Sequence, residues 1–236
     1  MPRFVFRQVQ SQDLALFLRD GEIRAKNHAA PQLCHQASYQ EIVNRRGTNE
    51  FDIPTGGVVN DYVQFYFSPI TGFAYTINQG NVALRSPSGE DLGTATDADR
   101  VFFVCAVESF SGSGLQYCFS NFPLNSRAPM PVVKTDLAEL ETHVHWGVFD
   151  EGPRCGHIPE IGYDGVCKFF FNQDSPPERQ YRRQKRMAEF LVQGAVPLSH
   201  VACIIAKSTA MRDQLQQQVD ASRWRIPVYA KPGCYF

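Results

Sequence analysis

Arg179-Gln180-Tyr181-Arg182-Arg183-Gln184-Lys185-Arg186-Met187-Ala188-Glu189-Phe190-Leu191 sets a strongly basic segment directly against an apolar one that carries a single carboxylate. Five of the eight residues from Arg179 to Arg186 are Arg or Lys. Such a run attracts a polyanion, and a carboxylate just beyond it is placed to act on whatever the cations hold. The competing explanation is a solvated helix face. Met187, Phe190 and Leu191 recur at i, i+3 and i+4, so the periodicity predicts a helix over 178–193 with Gly194 as its stop. On that helix Glu189 is held rigidly between inward-packing Met187 and Phe190, and Arg182 and Arg186 share a face at i, i+4.

Around this segment the chain is ordinary in bulk. Its 236 residues are 43% hydrophobic and 20% charged, enough for a real core, and no Gly/Ser- or Pro-rich linker divides them, which predicts one domain. Aromatics reach 12%, with 18 Phe and 9 Tyr, favouring β structure and pockets that stack flat rings. The net charge of −1 excludes binding of nucleic acid through global charge, so a local patch must do it, and the 179–186 run is the strong candidate. The seven cysteines are odd in number and lack CxxC spacing. With no signal peptide and no apolar run of membrane-spanning length, they predict a cytoplasmic protein with reduced thiols and no membrane partner. Cys155, His157 and Cys167 lack a fourth ligand and tight spacing, so no metal is expected.

Elements expected outward from the basic run are strands over 4–9, 63–67, 101–107, 115–119, 201–206 and 226–229. Helices are expected over 14–19, stopped by Gly21; over 38–46, with Ser38 and Glu41 spaced as a capping box; over 136–141; and over 208–221. The irregular stretch from about 120 to 178 is rich in aromatics, as a functional loop is. Strands mixed with helices in no βαβ repeat give an α+β fold. GxGxxG, P-loop, GxSxG and HExxH signatures are all absent. His143 and His145 flank a valine, and strand geometry would point both one way.

The order of these segments resembles the DarT family of nucleobase ADP-ribosyltransferase toxins over most of the chain. The resemblance rests on the opening Arg7-Gln8-Val9-Gln10 through Asp20-Gly21, and on Arg46 followed by Thr55-Gly56-Gly57 and Asp61-Tyr62-Val63-Gln64-Phe65-Tyr66-Phe67-Ser68-Pro69. It also rests on Arg186-Met187-Ala188-Glu189-Phe190-Leu191-Val192, and on the tail from Ile204-Ile205 to Tyr235-Phe236. It implies an ADP-ribosyltransferase fold: two packed β-sheets with flanking helices around an NAD cleft. It implies transfer of ADP-ribose from NAD to a base of single-stranded DNA with release of nicotinamide, and a role as toxin or antiphage effector with a possible antitoxin protein as partner. By family position Glu189 is the catalytic glutamate and Arg46 its partner, and 120–178 is the substrate-recognition loop. Cofactor contacts are assigned to Gln8, Gln10, Gly21, Arg46, Tyr62 and Tyr66. Gln10 stands where family members often carry His, a change an amide-binding Gln can accommodate.

On these residues the chemistry is coherent. Breaking the nicotinamide–ribose bond leaves positive charge on the sugar, which a carboxylate such as Glu189 stabilises. Arg46 serves either as charge stabiliser or, as the family proposal has it, in removing the acceptor's proton; adjacent Arg45 is able to take either part. Tyr62 and Tyr66 share a strand face, one or both toward the cleft, with Phe65 opposite in the core. Arg179, Arg182, Arg183, Lys185 and Arg186 hold strand phosphates, with His145 and Trp146 nearby. RNA as acceptor, transfer to a protein side chain, and a nucleic-acid-binding module without catalysis are the rival readings.

Overall fold

The computed structural model describes residues 2–236. Along the chain the first elements are β1 (Phe4–Gln10), α1 (Leu14–Asp20), β2 (Glu22–Arg24), β3 (Gln36–Ala37), α2 (Gln40–Arg46), β4 (Tyr62–Tyr66) and α3 (Gly72–Asn78). Then come β5 (Ala83–Arg85), β6 (Asp91–Thr94), β7 (Arg100–Ala106), β8 (Tyr117–Ser120), β9 (Val133–Lys134), α4 (Leu140–His143) and α5 (Gly147–Asp150). The remainder is β10 (Arg154–Cys155), β11 (Val166–Cys167), α6 (Arg182–Lys185), β12 (Glu189–Gln193), β13 (Ala195–Pro197), β14 (Val201–Ala206), α7 (Thr209–Asp220) and β15 (Val228–Ala230). None of these helices is long and apolar enough to cross a membrane.

Eight strands hydrogen-bond in the order β15-β14-β7-β1-β4-β12-β8-β9. The two central strands, β1 and β4, meet at one register pair, Phe6 with Tyr66. By contrast β1 pairs with β7 along its whole length, from Phe4–Ala106 to Gln10–Arg100. The expected pair of sheets is therefore present as two four-stranded halves that touch at one rung and diverge beyond it. Alternation assigns the faces. Val5, Val9, Val101 and Phe103 of one half, and Val63, Phe65, Phe119, Phe190 and Val192 of the other, fill a shared core. The reverse faces are covered separately, by the Phe4/Phe6/Phe102/Val104 cluster and by the Tyr62/Cys118/Leu124/Leu191 cluster.

Three expectations about elements need correction. The helix over 178–193 does not form: α6 has only four residues, and Glu189 opens β12, a central strand between β4 and β8. Phe190 and Val192 face the shared core while Leu191 faces the opposite cluster. A strand buried on both sides carries no apolar–polar alternation, so three consecutive apolar residues satisfy a helical template equally well. The capping box at Ser38 and Glu41 does not form either; α2 starts at Gln40 with no side-chain cap at Tyr39. His143 ends α4 rather than lying on a strand with His145.

The irregular stretch is tied down from inside. Arg186 is fully buried and donates to the carbonyls of Val148, Cys167 and Phe169 on that stretch. It also donates to Ser68 Oγ at 3.0 Å and to the Ile70 carbonyl at 2.9 Å, just after β4. Burial lowers its pKa to about 10. Arg182, also fully buried, and Arg179 both bind Glu151.

Candidate active site

Where β1 and β4 part, a cleft of about 310 Å³ opens. Phe6, Arg7, Gln8 and Val9 of β1, Gln64 and Tyr66 of β4 and Arg46 of α2 line it, with the segment from Cys34 to Tyr39 opposite. The cations of its wall are Arg7, Arg24, Lys26, Arg46 and Arg100, against the single acid Asp13. Asp13 is already engaged: its carboxylate accepts from the His35 backbone N–H at 3.0 Å and contacts His35 Nδ1 at 2.7 Å.

The innermost feature is an ion pair. Arg46 Nη2 donates to Glu189 Oε1 at 2.6 Å, and its Nη1 donates to Gln64 Oε1 at 2.7 Å. Glu189 Oε1 also accepts from the Leu124 backbone N–H at 2.8 Å, and the Glu189 N–H donates to Ser120 Oγ at 3.1 Å. Register places Glu189 beside Tyr66. The carboxylate has no exposure, and it lies behind Arg46 and Tyr66, which form the cleft wall. Its Oε2 has no partner. Burial works against the charge of Arg46, but Glu189 and Tyr66 together outweigh it and hold the guanidinium above the ordinary arginine range. Burial, reinforced by the negative charge of Glu189, pushes the Tyr66 phenol well up, so the phenol stays protonated.

The expected site residues divide sharply. Arg46, Tyr62, Tyr66 and Gln8 line the cleft, and the Gln8 amide nitrogen is buried without a partner. Tyr62 and Tyr66 do share a strand face, but Tyr62 is buried among Phe51, Ile53, Val59 and Leu191. Its hydroxyl is committed to the Gly56 carbonyl and Thr55, so protein partners fix the side chain where it meets the cleft. Gln10 is buried and outside the cleft lining. Gly21 is also outside it; it closes α1 with φ +78°, and a Cβ there would come within 2.9 Å of Arg223 and 3.0 Å of Trp224. Its glycine is demanded by packing and turn geometry, not by a ligand.

The nucleic-acid residues need similar correction. Arg182 and Arg186 face inward, and Arg179 is paired with Glu151, because carboxylate and carbonyl acceptors of the irregular stretch surround them. Trp146 is 8% exposed, its indole N–H donates to the Leu140 carbonyl, and Arg3 covers its ring at 3.6 Å. His145 packs on Phe122, and burial, with Lys185 and His143 adding, lowers its pKa, so it offers no cation. Arg183 alone of the named arginines is exposed and free of ion pairs among the described residues. A Cβ on Gly72 would come within 2.7 Å of Arg183 Nε and 3.3 Å of Met187 Sδ, which places Arg183 against a residue of the cleft wall. Sequence reasoning passed over Arg7, Arg100, Asp13 and His35; only the closeness of Arg7 to Gln8 in the opening strand signalled any of them.

Comparison with known proteins gives consistent matches. The family model described as "DarT: ssDNA thymidine ADP-ribosyltransferase, DarT" matches residues 6–236. A DNA ADP-ribosyl transferase of Thermus sp. (strain 2.9) is 24% identical over 229 residues, 95% of this chain and 93% of that protein. The structure of Thermus sp. 2.9 DarT in complex with ADP-ribosylated ssDNA covers 100% of this chain and 97% of its own, with TM-score 0.76 and 22% identity. Thermus sp. 2.9 DarT in complex with NAD+ covers 100% and 98%, with TM-score 0.70 and 21% identity. At these identities the structural likeness shows the fold, in agreement with the expected architecture.

Proposed function

Because this chain belongs to the DarT family of ssDNA thymidine ADP-ribosyltransferases, we propose that it transfers ADP-ribose from NAD to a thymidine base of single-stranded DNA and releases nicotinamide. The observation that carries this reading is the buried Arg46–Glu189 pair at the inner end of a cation-lined cleft, where the two sheet halves part. The residues fit a dinucleotide: Glu189 Oε2, Gln8 Nε2 and the Nε atoms of Arg7 and Arg100 are buried without partners, as groups awaiting a ligand are.

NAD supplies an ADP-ribosyl group whose bond to nicotinamide breaks with charge developing on the ribose. Glu189 is fixed by Arg46 and the Leu124 N–H through one oxygen, leaving the other to orient sugar hydroxyls and stabilise that charge. Of the two roles open to Arg46, this pairing favours charge stabilisation, since a guanidinium held above its ordinary pKa is a poor proton acceptor. The stretch 120–178 acts as the substrate-recognition loop, and exposed Phe169, Phe171 and Tyr181 lie near Arg183 in sequence. Tyr181 adopts φ 57°, a strained value for a non-glycine residue and of the kind that collects at binding segments. Rings beside cations suit the stacked bases and phosphates of a single strand. A toxin's role in the cytoplasm, with an antitoxin protein as partner, belongs to the same reading.

The test is incubation with NAD and paired oligonucleotides, single-stranded DNA with and without thymidine and RNA of matching sequence, followed by mass spectrometry. An ADP-ribose adduct on thymidine-containing DNA alone is expected. Adducts confined to RNA, or none on any strand, would refute it.

A further inference from the structure

Arg7 and Arg100 are the two cleft arginines with no ion-pair partner among the described residues. Arg46 has Glu189, and Arg24 has Glu22 and Asp20. Among the described residues neither Arg7 nor Arg100 forms an ion pair. Arg7 Nη1 donates to the Gln64 carbonyl at 2.9 Å, and Arg100 Nη2 to the Gln8 carbonyl at 3.2 Å. Each has a buried Nε without a partner. Arg100 is only 5% exposed. The nearby acids are taken: Asp13 by His35, and Asp97 by Asn78 at 3.1 Å and Lys207 at 3.7 Å.

The cost of this arrangement registers in the acid–base behaviour of both groups. Burial lowers the pKa of Arg7. Burial lowers that of Arg100 to about 10, with the charge of Arg7 adding to the effect and Asp97 opposing it. Two like charges held together in a low-dielectric wall, with no ion-pair partner of their own, lose stability in the empty protein and regain it when a dianion enters.

We propose that Arg7 and Arg100 form the diphosphate seat of the cleft, one guanidinium for each singly charged phosphate of a dinucleotide. The assignment rests on the reading of NAD as co-substrate and adds to it the residues that grip its centre. Lys26, exposed and also on the cleft wall, is available to the same anion from the rim. The seat puts the strongest binding away from the bond that breaks, so affinity for ADP-ribose and for NAD should be similar in origin, while nicotinamide contributes little.

The experiment is calorimetric titration of the full chain and of Arg7→Met, Arg100→Met, Arg7→Lys and Arg100→Lys with ADP-ribose and with nicotinamide riboside. Thermal unfolding is followed in parallel, with and without inorganic pyrophosphate. Each methionine variant should weaken ADP-ribose by about ten- to hundredfold, the value of a charge-assisted hydrogen bond, and leave nicotinamide riboside unchanged. The lysine variants should retain most of the affinity. Without ligand the methionine variants should unfold at or above the wild-type temperature, an outcome a purely structural role would reverse. Pyrophosphate should raise the unfolding temperature of the wild type and of the lysine variants. Unchanged ADP-ribose affinity in the methionine variants, equal loss of both ligands, or a wild type indifferent to pyrophosphate would overturn the seat. Should a methionine variant fail to fold, the pyrophosphate and lysine measurements decide alone. A wild type that is stabilised by pyrophosphate but ignores NAD would keep the anion seat and defeat the proposed function instead.

Discussion

Glu189 and Arg46 depend on each other for burial, and this makes their substitutions asymmetric. Glu189→Gln keeps size and hydrogen bonding but removes the charge proposed to meet the ribose cation; transfer should fall by at least about a hundredfold, measured as adduct formed per minute, with the circular dichroism spectrum unchanged. Arg46→Ala leaves a carboxylate with no exposure and no cation beside it, and should cost about 3–5 kcal/mol in urea unfolding. His145 sets a pH dependence. Its pKa is lower in the fold than in the unfolded chain, so the unfolded chain binds more protons as the pH falls. The stability tied to neutral His145 is therefore complete above the ordinary value of about 6.5 and is lost as pH drops through it. The unfolding temperature should decline between pH 7.5 and 5.5, and His145→Gln should make that decline shallower. Residue identities were legible here to different degrees. Glu189 and Arg46 stood out through the order of segments around them. Arg7 and Arg100 did not, because a charged residue in a strand carries no mark of whether an acid will fold against it.

At the scale of elements the basic run is the instructive case. As text it is a cationic helix face. In the fold it is a four-residue helix followed by a central strand, and four of its five cations, all but Arg183, donate from their side chains to protein acceptors. Local periodicity could not disclose this, since the acceptors lie 17 to 118 residues earlier for Arg186 and 31 earlier for Arg182. The strands β1, β7 and β14 and helix α7 were legible because each is a single apolar or capped segment whose boundary residues, such as Ser208, do local work. Exposed Arg183 and buried Arg182 should separate experimentally. Arg183→Glu should weaken single-strand binding and lower the slope of log affinity against log salt by about 1, with little change in unfolding. Arg182→Glu should chiefly destabilise, since its charge would then confront Glu151. Equal effects of the two on the salt slope would count against this division.

For the molecule as a whole, the parting of the two sheet halves at Phe6 and Tyr66 makes the ligand a bridge between them. Binding should therefore raise global stability, by about 2.7 kcal/mol at a hundredfold excess over the dissociation constant. Amide exchange should slow on both β1 and β4, whereas slowing on one alone would place the ligand elsewhere. Composition and element order conveyed the α+β architecture, but the one-rung join is a matter of three-dimensional divergence that no window of sequence records. Arg186 extends the same logic. Three positions before the carboxylate, its one guanidinium fastens the irregular stretch to the root of β12 and to the turn after β4. The proposed recognition stretch and the proposed catalytic carboxylate are thus riveted to a common post. Errors in their alignment cannot accumulate across the intervening loop, and a blow to that post should be felt at both ends at once.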